Sequence, residues 1–83
     1  MPRAKEPPLN DISAWKRSRT KPDNIWRVYD GVTLSVFKTG IRSFRYCIAT
    51  FAGPYFSTID YPTVERAIRG LGKHLKRMRR TRQ

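Results

Sequence analysis

An α+β fold, with an antiparallel meander of three to four strands packed against one C-terminal helix, is predicted by three features of this sequence. From Ile25 to Ile59, apolar and polar residues alternate with the two-residue period of a strand. Turn pairs punctuate that stretch at short intervals: Asp30-Gly31, Thr39-Gly40 and Gly53-Pro54. Beyond it, Val64, Ile68, Leu71, Leu75 and Met78 recur at steps of four and three, which is one stripe of a helix.

The chain divides into a basic arm, residues 1–24, and a single domain, residues 25–83. Residues 1–9 hold three prolines and no periodicity and are expected to be mobile, as are residues 81–83. Asn10 and Asp11 are good helix caps, so residues 11–19 read either as a short helix facing inward through Ile12 and Trp15 or as an extended arm. Lys21-Pro22 ends that segment, because the residue before a proline avoids helix. Trp26-Arg27-Val28-Tyr29 then alternates into Asp30-Gly31, a pair that tolerates the positive φ of a two-residue hairpin turn. Val32 to Lys38 is the next strand, Phe44 to Phe51 the third, and Tyr55 to Ile59 a short last one. Such short connections imply antiparallel neighbours.

The helix is expected from about Pro62, capped by Asp60, since proline is tolerated in a first turn. Gly70 and Gly72 each cost roughly 1 kcal/mol against alanine in a helix interior, so a kink or an end is expected there. Sorting the strands by parity sends Trp26, Val28, Leu34, Val36, Tyr46 and Ile48 under the helix. It leaves Arg27, Tyr29, Thr33, Ser35, Phe37, Arg45, Cys47 and Phe51 on the other face, as either a solvated surface or a platform for nucleic acid. The expected core is Val28, Leu34, Val36, Ile48, Val64, Ile68 and Leu71.

Charge is the outlying property. Eighteen Lys and Arg face six Asp and Glu in 83 residues, a net charge of +12. Residues 25–68 are nearly neutral, whereas residues 69–83 hold seven basic residues and no acid. Such a distribution attracts a polyanion at long range. The candidate contacts are Arg69, Lys73, Lys76, Arg77, Arg79 and Arg80 from the helix, Lys16, Arg17 and Arg19 from the arm, and Arg27 and Arg45 from the sheet.

Catalytic parts are not visible. The five glycines are scattered rather than gathered into a phosphate loop, and the six acids are far apart in sequence. The single cysteine, Cys47, precludes an internal disulfide and a multi-cysteine metal site, and reads as a small buried hydrophobe in a strand. His74 has no ligand-spaced neighbour and reads as a surface residue. No cofactor is expected. The N-terminus lacks an apolar run and no segment is long and apolar enough for a membrane span, so the expected location is the cytoplasm or a nucleoid.

The order of meander and helix, joined by Thr58-Ile59-Asp60-Tyr61-Pro62-Thr63-Val64-Glu65-Arg66-Ala67, resembles two groups of DNA-binding domains. These are the ethylene-response-factor type and the arm-binding domains of phage integrases. The resemblance spans roughly residues 32–76 and implies a three-stranded sheet set into the DNA major groove. Size and basic ends also resemble small phage or mobile-element proteins. Three functions follow as expectations: a DNA- or RNA-binding module, an adaptor or inhibitor that binds a host protein complex, and a structural ribonucleoprotein component. Either a monomer or a dimer is compatible with the sequence.

Overall fold

The computed structural model describes residues 6–81, with side chains through Met78. The expectations of mobility for residues 1–5, 82 and 83, and the contacts assigned to the side chains of Arg79 and Arg80, lie outside the described residues. Five strands form one antiparallel sheet in sequence order: β1 (Lys16–Arg17), β2 (Ile25–Tyr29), β3 (Val32–Gly40), β4 (Ser43–Thr50) and β5 (Gly53–Phe56). One helix, α1 (Val64–Thr81), packs on β4 and β3. The α+β meander is therefore as the alternation and the stripe predict, with an edge strand added at β1.

Asp30 and Gly31 adopt φ of 51° and 81°, the left-handed pair that a two-residue hairpin needs. That turn sets Tyr29 opposite Val32, Val28 opposite Thr33 and Arg27 opposite Leu34. Across a two-residue turn an odd-numbered residue lies opposite an even-numbered one. Giving β2 and β3 the same parity therefore reverses β2. Trp26 and Val28 are on the open face, with Val28 54% exposed, and Arg27 and Tyr29 are on the inner one. Between β3 and β4 the register keeps parity, Leu34 opposite Ile48 and Val36 opposite Tyr46, and those four are buried as expected. The remaining turns differ from the expected pairs. β3 continues through Gly40, with the turn at Ile41 and Arg42, and Gly53 begins β5 instead of preceding it.

Trp15, Leu34, Val36, Tyr46, Ile48, Ala67, Ile68 and Leu71 make the core between sheet and helix. The N-terminal segment completes this layer over β2. Leu9 packs against the core, and the Trp15 indole N–H donates to the Leu9 carbonyl at 2.9 Å. A helix over 11–19 does not form. Asp11 caps a single 3-10 turn, Ile12–Ala14, and the chain then extends to pair Lys16 with Trp26. Once Trp15 is buried, β-pairing satisfies the backbone that a longer helix would otherwise serve.

The helix is capped by Thr63 rather than Asp60. The Thr63 hydroxyl accepts the Arg66 N–H at 3.2 Å, whereas Asp60 is drawn to Arg45 and Thr39. Phe44 and Tyr61 exchange two backbone hydrogen bonds of 2.8 Å, which fixes where the chain turns into α1. Neither glycine breaks the helix. At Gly70 an added Cβ would lie 2.6 Å from Cζ of Tyr61, so the ring of Tyr61 packs where a side chain would stand. Among the described residues no helix is long and apolar enough to cross a membrane.

Candidate nucleic-acid interface

The inward stripe of α1 dictates its outward face. With Ala67, Ile68 and Leu71 buried, the 3.6-residue period places Arg66, Arg69, Lys73, Lys76 and Arg77 on the solvent side, and all five are exposed. Residues three and four apart on a helix lie about 5–6 Å apart at Cβ. That is inside one Debye length, about 8 Å at physiological salt, so these charges raise one another's potential. The row from Arg66 to Arg77 runs about 16 Å along the axis. Glu65 is the one acid in α1. Among the described residues no carboxylate is within ion-pairing distance of Arg66, Arg69, Lys73 or Lys76; the ion pair found there is Arg45–Asp60 at 2.8 Å. Counter-ions or a bound anion would relieve the mutual repulsion of Arg66, Arg69, Lys73 and Lys76.

The other sequence-selected cations are placed elsewhere. Lys16, Arg17 and Arg19 are exposed at the β1 edge. Lys16 stands on the open sheet face with its Nζ 5.2 Å from the Trp26 ring, while Arg17, opposite Ile25, points to the helix side. Arg45 is also on the open face, across the sheet from α1, where Asp60 accepts its Nε–H. This bond and one from Thr39 hold the Asp60 carboxyl below its ordinary range.

Arg27 is interior, 5% exposed. Its guanidinium donates to the carbonyls of Pro8 and Pro7 at 3.1 and 2.9 Å and lies over the rings of Tyr29 and Trp15. These contacts replace part of the hydration a buried charge loses, although Nε has no hydrogen-bond partner among the described residues. The side chain thus tethers the N-terminal segment and has no free fork for phosphate. Arg66, absent from the selected set, belongs to the helix row. Its spacing of three from Arg69 and seven from Lys73 is the signal that identifies it.

The open sheet face is chemically different. Trp26, Ser35, Cys47 and Phe56 form one cross-strand row, and Phe37 meets Phe56 edge-on at 6.2 Å between centroids. Burial pushes the Cys47 thiol up, so it is not an activated nucleophile. His74 is on the opposite side of the sheet. It is half-buried rather than on the surface, with Nδ1 2.9 Å from the Tyr46 hydroxyl and its ring against Tyr55. Cys47 and His74 therefore do not form a pair. Among the described residues no three metal-binding side chains converge.

Burial, and then the nearby charge of Arg77, hold the His74 imidazole below its ordinary range. The unfolded chain then takes up the proton before the folded one does. The stability tied to neutral His74 is complete above about pH 6.5 and declines as pH falls through that value toward the folded-state pKa. The melting midpoint is expected to drop between pH 7 and 5.5, and His74→Asn, which cannot charge, should flatten that drop. A wild-type midpoint that is constant over this window would contradict it.

No family model, curated protein or solved structure matches the chain.

Proposed function

We propose that this protein is a small, non-enzymatic nucleic-acid-binding module of the cytoplasm or nucleoid that grips phosphates with the outward face of α1. The observation that carries this reading is the row Arg66, Arg69, Lys73, Lys76 and Arg77, exposed on one helix face within a chain of net charge +12. Duplex DNA fits better than duplex RNA. The DNA major groove, about 12 Å wide, admits a helix, while the A-form major groove is too narrow for side chains to read. The helix face is favoured over the sheet-in-groove arrangement implied by the resemblance to sheet-based DNA-binding domains. Lys16 and Arg45 are the cations on the strands' open face, and Asp60 pairs with Arg45. Of the arm cations, Arg17, on the helix side of the β1 edge, adds a second, smaller contact with Arg19 nearby, whereas Lys16 stands on the open face.

Affinity for duplex DNA measured against salt tests the reading. Five phosphate contacts give a slope of about −4.5 in log K against log salt. A second reading, an adaptor that docks on a host protein, is favoured by the apolar side chains on the open sheet face: Val28 and Phe56, each 54% exposed, and Trp26, 36% exposed. Absence of salt-sensitive binding to both DNA and RNA in the micromolar range would replace the first reading by this one.

A further inference from the structure

A groove of about 330 Å³ runs along one flank of α1, between the helix, Leu9 of the N-terminal segment and the β2–β3 turn. Its chemistry is divided. Leu9, Tyr29 and Leu75 supply an apolar floor, Arg69, Lys73 and Lys76 supply a cationic rim, and Asp30 places a carboxylate at the turn end, away from which an anion would sit. The helical period orders these positions around the axis, with Leu75 nearest the core, then Gly72, then Lys76 and Arg69. Gly72 thus lies where floor meets rim, and a side chain there would project into the groove.

The two helix glycines differ on this point. Gly70 is required by packing, because Tyr61 occupies the space a Cβ would take. At Gly72 an added Cβ would meet only Leu9 Cδ1, at an ordinary 3.5 Å. Packing therefore admits a larger residue, and helix propensity favours one. A glycine at this position leaves the groove open.

We propose that this groove binds a single unpaired nucleotide, with its base on the floor beside the Tyr29 ring and its phosphate among Arg69, Lys73 and Lys76. This deepens the phosphate-binding reading of α1 and rests on it. A bare phosphate gains nothing from the apolar floor, and the cationic rim contributes nothing to a neutral apolar ligand. A nucleotide uses both, since an aromatic ring stacks on any base and the rim neutralises its phosphate. The nucleotide is either free or at an unpaired strand end, and the chemistry recognised is the same.

The test uses the full chain and four probes: inorganic phosphate, deoxyadenosine monophosphate, a blunt duplex, and the same duplex with a 5′-phosphorylated one-nucleotide overhang. The monophosphate is expected to bind about tenfold more tightly than phosphate, the scale of one stacking contact. A similar preference for the overhang over the blunt duplex assigns the groove to strand ends; a monophosphate preference without it assigns the groove to free nucleotide. Gly72→Leu fills the groove and should abolish the preference while keeping blunt-duplex affinity and its salt slope. Gly72→Ala, a smaller filling, should give an intermediate loss. The NMR signal of the Trp15 indole N–H, bonded to Leu9, reports whether the N-terminal segment stays seated. Equal affinity for monophosphate and phosphate overturns the proposal. So does a preference that survives Gly72→Leu with the Trp15 signal unshifted. Failure of the wild type to bind the blunt duplex overturns the phosphate grip instead, and leaves the comparison of monophosphate with phosphate to stand by itself.

Discussion

Replacing Ile68 by alanine is expected to lower the stability by about 2–5 kcal/mol, the cost of a large-to-small change in a closed core. Ile68 is 2% exposed and belongs to the cluster that joins α1 to β3 and β4, with Leu34, Ile48 and Leu71 fully buried in it. At roughly 0.05–0.15 kcal/mol per residue, a chain of this length has about 4–12 kcal/mol in total. The substitution therefore removes a large share, and near the lower bound it unfolds the protein at room temperature. A thermal midpoint lowered by about 10 °C or more is the expected result for a domain of this size. Val28→Ala is the informative partner, because Val28 is 54% exposed on the open face and its truncation should cost under about 1 kcal/mol. An unchanged midpoint for Ile68→Ala, or a loss at Val28 as large as at Ile68, would contradict the assignment of the two sheet faces.

The contrast between these two positions marks how far the sequence could be read. Local signals sufficed for the elements. Asp30-Gly31 carries its own turn geometry, and the stripe from Val64 to Met78 carries its own period, so hairpin and helix are legible from neighbours alone. The inner face of β3 and β4 was legible too, because Leu34, Val36 and Ile48 are apolar at alternate positions. The face of β2 follows from that same two-residue turn, but residue type argues against it. Trp26 and Val28 look like core and Arg27 looks like surface, and only the parity switch across the turn reverses them. Arg27 is stable inside because Pro7 and Pro8, twenty and nineteen residues earlier, present carbonyls to it. No local pattern announces a partner at that distance. Burial of Trp15, pairing of Lys16 with Trp26, the cap at Thr63 and the half-buried state of His74 are of the same kind, each decided by a tertiary contact. The candidate interface divides similarly. The cationic helix row is a periodic feature and could be read, including Arg66, whereas the groove beside it needs Leu9 and Tyr29 brought to the helix by the fold.

Substituting Arg69, Lys73 and Lys76 together by glutamine is expected to weaken duplex binding by several hundredfold. Each phosphate contact contributes about 0.9 to the salt slope, so three lost contacts flatten it by about 2.7 and, at 0.1 M salt, lower the binding constant by about 500-fold. Folding should survive, because the three side chains are exposed and glutamine is a good helix former. Stability should hold or rise slightly, since Arg69 with Lys73 and Lys73 with Lys76 are like-charge pairs at helical spacing. The matched control is Lys16→Gln with Arg45→Gln, which removes the open-face cations and leaves α1 intact. The two sets lie on opposite sides of the sheet, so one duplex segment pressed against α1 does not reach Arg45. The control should therefore shift duplex affinity far less than the helix triple. A larger loss from the control than from the triple would place the nucleic acid on the sheet. An unchanged affinity and slope for the triple would mean that the helix row only keeps the protein in solution.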